Sequence, residues 1–136
     1  MTKARGRRGA RRLLLQALYQ EQIAGHDYGE LVAQFSVRDD FAAADGDYFR
    51  VVLRDVLSRA VELDEIIDKF LDRPIAQLDP IEHALLWIGV TELSSQADVP
   101  ANVIINEAVE LAKQFGGEGS FRYINAVLDK ASKSLR

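Results

Sequence analysis

The stretch from Val103 to Lys130 constrains the fold most. Ile104, Ala108, Leu111, Ala112 and Phe115 recur at helical spacing and make one apolar stripe. Gly116 and Gly117 follow Phe115 directly, where the pattern predicts a left-handed glycine cap. Ser120 then reads as the N-cap of a second helix. The apolar face of that helix is Phe121, Ile124, Val127, Leu128 and Ala131. Asn106 and Asn125 interrupt these two helices, and each reads as a buried amide that satisfies backbone or partner groups.

The rest of the chain repeats the helical period. A helix is expected from about Ala10 to Ala24, with Leu14, Ala17 and Leu18 on its buried side and Gly25 ending it. Asp27 and Glu30 have the spacing of a capping box for a short helix to about Phe35. Ser36–Ala44 reads as a polar loop, and Asp45 as the cap of a helix starting near Gly46. From Tyr48 to Leu71 the apolar positions keep a 3.6 period, long for one globular helix, so a bend or break is expected near Val61–Asp64. Pro74 closes that segment. Asp79-Pro80-Ile81-Glu82 is a strong helix start, with Asp at the N-cap, Pro at N1 and Glu at N3. Pro100 lies in the turn to Val103. The count is about seven helices, with no credible strand.

Charge is distributed unevenly. The net charge is -4, yet residues 1–12 carry Lys3, Arg5, Arg7, Arg8, Arg11 and Arg12 and no acid. The other 124 residues hold 11 basic and 21 acidic side chains. An acidic body repels nucleic acid in general, so any such binding must be directed by the basic arm and by local patches. Residues Met1–Gly9 are expected to be disordered when free, because like charges repel and Gly6 and Gly9 disfavour helix. Arg8, Arg11 and Arg12 would share one helical face at i, i+3 and i+4. Cations at a helix N-terminus oppose the dipole, so they read as a phosphate-facing device rather than a stabilising one.

Several chemistries are excluded. The absence of cysteine removes disulfides and thiolate metal sites and suits a reducing cytosol. No apolar run reaches a membrane span, and no signal peptide is expected. His26 and His83 are too isolated for a metal pair. Gly116-Gly117-Glu118-Gly119 lacks the Lys-Ser/Thr of a phosphate loop, and no serine sits in a nucleophile elbow. Glu107 and Glu110 read as a solvated face. Nothing argues for catalysis or a cofactor. Binding chemistry is what is left: the arm arginines, and Lys113, Arg122 and Tyr123 clustered around the glycine hinge, where a Tyr beside an Arg suits stacking on single-stranded RNA. That Tyr123 simply packs, and that the arm is merely a solvated tail, stay open on this reading.

Ile105–Gly116 (INEAVELAKQFG) and Tyr123–Ala131 (YINAVLDKA) resemble the C-terminal signature of the NusB transcription antitermination factors. ARRLLLQALYQ at Ala10–Gln20, YFRVVL at Tyr48–Leu53 and DPIEHALLWIGVTEL at Asp79–Leu93 follow in the order of that family. The likeness covers nearly the whole chain. A NusB-like domain also occurs fused to ribosomal RNA methyltransferases, but a chain of this length is expected to be the stand-alone factor.

The resemblance implies an all-α fold of two small packed helical bundles: a flexible arm over residues 1–12, one bundle over 13–72 and another over 73–136. It implies a cytoplasmic, non-enzymatic protein that binds boxA RNA with the ribosomal protein NusE. Such a complex would join NusA, NusG and RNA polymerase to support transcription of ribosomal RNA operons. The family's arginine-rich motif maps onto Arg5, Arg7, Arg8, Arg11 and Arg12, and its RNA-contacting aromatic onto Tyr123. The usually acidic hinge position is Gly119 here. Glu82 matches an acidic position implicated in the NusE surface, although it also suits helix capping. Tyr19 matches another functionally sensitive position. A ribosomal RNA assembly factor, a helical interaction adaptor without specific RNA binding, and a homodimer that masks the RNA surface all stay open.

Overall fold

The computed structural model describes residues 3–136. The described residues form eight α-helices and one 3-10 turn, with no strand. The helix beyond the expected seven is one short turn, Asp39–Ala42, inside the segment read as a polar loop. The chain divides into two compact units, one ending at Ser58 and the other running from Arg59 to Arg136.

The first unit holds α1 (Lys3–Ala24), α2 (Tyr28–Phe35), α3 (Asp39–Ala42) and α4 (Gly46–Ser58). Its starts are written in the sequence. Asp27 and Glu30 form the expected capping box, with Glu30 N donating to Asp27 Oδ1 at 2.9 Å. Asp45 Oδ1 accepts from Tyr48 N at 3.0 Å and so caps α4. Phe49 is fully buried and meets Phe35 and Phe41, with ring centroids 5.8 and 5.5 Å apart. Leu14 and Leu18 of α1, Leu31 of α2 and Val52, Leu53 and Val56 of α4 are buried as well. Each such side chain contributes about 1.5–3 kcal/mol of burial free energy.

The second unit begins two residues ahead of the expected helix break. Arg59 leaves helical geometry (φ -123°, ψ 19°), so the long apolar run splits into α4 and α5 (Ala60–Asp68). The unit boundary falls here and not at Asp72–Arg73. The reason lies in α5, which is fastened to α6 (Pro80–Ser95). Asp64 Oδ1 accepts from Trp87 Nε1 at 2.8 Å and pairs with His83 Nε2 at 2.7 Å. Facing a carboxylate, that ring nitrogen must be the donor. The 3-10 turn Ile75–Gln77 follows Pro74 and leads into α6.

Helix α6 is the centre of this unit. Every residue from Ala84 to Leu93 is buried, the mark of a helix covered on all sides. It packs against α5, α7 (Ala101–Phe115) and α8 (Ser120–Leu135). Gly89 permits the approach of α8: a Cβ there would lie 2.7 Å from Leu128 Cδ2. Arg136 folds back on the end of α6, donating to the carbonyls of Leu93 (3.0 Å), Gln96 (2.8 Å), Glu92 (3.2 Å) and Val99 (2.5 Å). It thereby satisfies carbonyls that a helix C-terminus leaves orphaned. Asn106 and Asn125 are exposed, not buried amides; each sits on the solvent side of its amphipathic helix.

Candidate nucleic-acid interface

The arginine-rich segment is helical from Lys3 onward, where the sequence reading expects a flexible arm. Met1 and Thr2 of that arm lie outside the described residues. Two contacts explain the difference. The Gly6 carbonyl accepts from Asp45 N at 2.9 Å, and Gly9 sits so close to Ala44 that a Cβ would be 3.3 Å from it. These glycines cost helix propensity, but they let α1 press against the turn before α4.

This docking sorts the arginines into two sets. Arg7 and Arg11, one turn apart, point at Tyr48: their guanidinium carbons lie 4.5 and 5.6 Å from its ring centroid. Arg11 is only 3% exposed, and Arg7 is half-buried. Lys3, Arg5, Arg8 and Arg12 are exposed. Arg5, Arg8 and Arg12 stand at i, i+3 and i+7, so they form one stripe on the solvent side. The expected grouping of Arg11 with Arg8 and Arg12 is therefore wrong, because burial against Tyr48 takes Arg11 out of it. The first turn of α1 holds no acid, so its dipole is left uncompensated. Tyr19 continues the stripe at 42% exposure, and Ile23 one turn further is 63% exposed.

The second cluster surrounds the turn between α7 and α8. The left-handed residue of that turn is Gly119 (φ 82°), not Gly116, which has φ -84° and ψ 170°. A side chain at Gly119 would be strained. Ser120 is the first residue of α8 and not its cap. Its Oγ donates instead to Glu82 Oε2 at 2.9 Å, inside the protein.

Glu82 uses both carboxylate oxygens. Oε1 accepts from Asp79 N at 3.3 Å, while Glu82 N donates to Asp79 Oδ1 at 2.8 Å, completing the capping box of α6. With 8% exposure, the side chain ties the start of α6 to the start of α8.

Beyond Ser120 the cations gather on aromatics. Lys113 and Arg122 are exposed. Lys113 Nζ lies 5.3 Å and the Arg122 guanidinium carbon 5.2 Å from the Phe121 ring centroid. Lys113 also pairs with Glu110 at 3.4 Å, a surface contact of little energy. Tyr123 is half-buried, and the Arg73 guanidinium covers its ring at 4.0 Å. Arg73 Nε donates to Asp72 Oδ1 at 3.1 Å, which holds the Asp72 carboxyl below the usual carboxylate range. The Tyr123 hydroxyl is buried beside Asp72. Burial, chiefly, raises its pKa, and Asp72 is near enough to act on it as well.

Two residues here were missed in sequence. Phe121 fits the apolar stripe of α8 and was assigned to the core, but the stripe reaches the surface at the first turn. Arg73 is fifty positions from Tyr123, and only the path of the chain through Pro74 brings them together.

A family model described as the NusB family matches residues 8–133. The chain belongs to the NusB family. The transcription antitermination protein NusB of Alcanivorax borkumensis is 48% identical over 130 residues, covering 96% of this chain and 87% of the relative. That of Idiomarina loihiensis is 46% identical over 134 residues, covering 98% and 96%. Among solved structures, a T. maritima NusB superposes with a TM-score of 0.83 at 25% identity, covering 93% of this chain and 89% of the other. A structure of the antitermination factors NusB and NusE in complex with dsRNA superposes with a TM-score of 0.81 at 26% identity, covering 98% and 99%. In this NusB-family chain both clusters offer hydrogen-bond donors, planar cations and aromatic rings. Among the described residues there is no group of His, Cys, Asp and Glu suited to a metal ion. No described helix is long and apolar enough to cross a membrane.

Proposed function

We propose that this chain is a cytoplasmic, non-enzymatic transcription antitermination factor that binds boxA RNA together with the ribosomal protein NusE. The resulting complex would act with NusA, NusG and RNA polymerase on ribosomal RNA operons. The observation that carries the reading is the exposed stripe of Arg5, Arg8 and Arg12 on α1 of an otherwise acidic NusB-family chain. Planar guanidinium groups on one helix face suit phosphates and unpaired bases. Lys113, Arg122 and Tyr123 add a second RNA-facing cluster on the other unit. Arg7 and Arg11 contribute by seating α1 on Tyr48.

Partner binding is assigned to Tyr19 and Glu82. Tyr19 with Ile23 gives α1 an apolar strip suited to a protein partner. Glu82 acts by fixing the start of α6, since both its oxygens are engaged within the chain. A second reading, a factor for structured ribosomal RNA, is favoured by the solved NusB and NusE complex with dsRNA.

The test is fluorescence anisotropy with labelled boxA-like RNA, a scrambled strand and a duplex, each with and without NusE. Preference for boxA that NusE tightens supports antitermination. Equal binding of duplex and boxA supports the second reading. Indifference to all three RNAs and to NusE refutes both.

A further inference from the structure

We infer that Arg73 is a base-stacking residue of the RNA site, its guanidinium forming the outer plate of a stack whose inner plate is Tyr123. The inference rests on the RNA-binding reading above and names a contact that reading does not contain. Tyr123 is the aromatic expected to meet a base, but one face of its ring is already covered. At 4.0 Å from the ring centroid, the Arg73 guanidinium already occupies the stacking position. A base approaching from the Arg73 side therefore meets the guanidinium first, and guanidinium planes stack on unpaired bases as aromatic rings do.

Arg73 is built for this. Its side chain is 40% exposed, which leaves surface for a ligand. Asp72 fixes the Nε edge, Tyr123 supports one face, and Pro74 next in sequence confines the Arg73 backbone to extended geometry. A long side chain held at three points gives up little freedom when a base arrives. Charge decides what kind of contact it makes. Asp72 is paired to it, and Glu82 also acts on it electrostatically, so the site carries little net positive charge. The value of Arg73 to RNA thus lies in its plane, and the α1 cations supply the phosphate contacts.

The test uses the intact chain without a protein partner. Its probe is single-stranded boxA-like RNA carrying 2-aminopurine at one position at a time, whose fluorescence falls when the base stacks. The variants are Arg73→Ala, Arg73→Lys and the triple change R5A/R8A/R12A, each checked by urea unfolding. Arg73→Ala should weaken binding about fivefold to a hundredfold, the range for losing one stacked base, and should abolish the fluorescence change at one position. Arg73→Lys keeps the charge but not the plane and should fare no better. The log K against log salt slope should move by less than the roughly 0.7 that one phosphate contact carries. If Arg73→Lys binds like the parent chain, or Arg73→Ala changes neither affinity nor fluorescence while the triple variant loses RNA, the inference falls and the RNA reading stands. If the parent chain binds no RNA, both fall together.

Discussion

The partition of the α1 arginines makes a quantitative prediction. If all six cations of residues 1–12 met phosphates of a single strand, the slope of log K against log salt would be roughly -4, at about -0.7 per contact. The structure leaves four of them exposed, Lys3, Arg5, Arg8 and Arg12, so the α1 contribution should be roughly -3. Over a fourfold rise in salt the two slopes predict losses of several hundredfold and of about fiftyfold.

The decisive comparison is between variants, because it cancels whatever Lys113 and Arg122 add. R5A/R8A/R12A should flatten the slope by roughly 2, at about 0.7 for each of three contacts. R7A/R11A removes two cations of the same charge and neighbourhood, yet it should change the slope little. Its cost should appear as stability: two guanidinium contacts to Tyr48 are worth about 1–2 kcal/mol together. The assay is anisotropy titration of a single-stranded RNA from about 50 to about 200 mM salt, the interval over which phosphate contacts are resolved, with urea unfolding of each variant. If R7A/R11A flattens the slope as much per residue as the triple variant, the burial argument is refuted, and Arg7 and Arg11 must swing out to RNA.

Other predictions concern the second unit. Arg136→Ala deprives the end of α6 of a charged donor to four carbonyls; it should cost about 1–3 kcal/mol in urea unfolding, and Arg136→Lys should recover part. Gly89→Ala drives a methyl into buried Leu128 and should destabilise by about 1–3 kcal/mol; an unchanged midpoint would mean that α8 yields freely. Asp72 should titrate below its ordinary 3.8, since the Arg73 hydrogen bond favours the carboxylate. Its pKa is lowered on folding, so its stabilising effect is present above 3.8 and is lost as pH falls through the folded value. Carboxyl NMR titration should show this shift, and Arg73→Ala should return it toward 3.8. Ser120→Ala should weaken RNA binding without touching the α6 cap, by freeing the start of α8; equal affinity would show that the Glu82 link is dispensable.

Helix existence was legible because it is local. Period, caps and breakers sit within a few residues of one another: Asp27 with Glu30, Asp45 before Gly46, Asp79-Pro80 with Glu82. What the sequence could not show is where a helix meets something distant. Gly6 and Gly9 read as helix breakers because propensity is a local prior, and packing of α1 on Asp45 and Ala44 overrides it. Ser120 has the identity of a cap, but its hydroxyl goes to a carboxylate thirty-eight residues away.

The same limit governs the candidate site. The arginine motif is legible in the sequence, but the division of its residues into exposed and buried sets depends on Tyr48, which no motif connects to them. Tyr123 reads in sequence as an aromatic beside Arg122, and the structure lays Arg73, from another segment, over its ring. Glu82 shows why a matched family position needs this geometry before it is given a role. Its carboxylate caps α6 and holds Ser120, so Glu82→Ala would disturb α6, the α8 start and the neighbourhood of Arg73 at once. Lost NusE binding in that variant would not separate contact from support. Glu82→Gln can, because an amide keeps an oxygen for the cap and a polar group for Ser120 while discarding the charge. Normal NusE affinity in Glu82→Gln with weakened affinity in Glu82→Ala would make Glu82 a support. Weakening in both, at unchanged stability, would make its charge part of the partner surface.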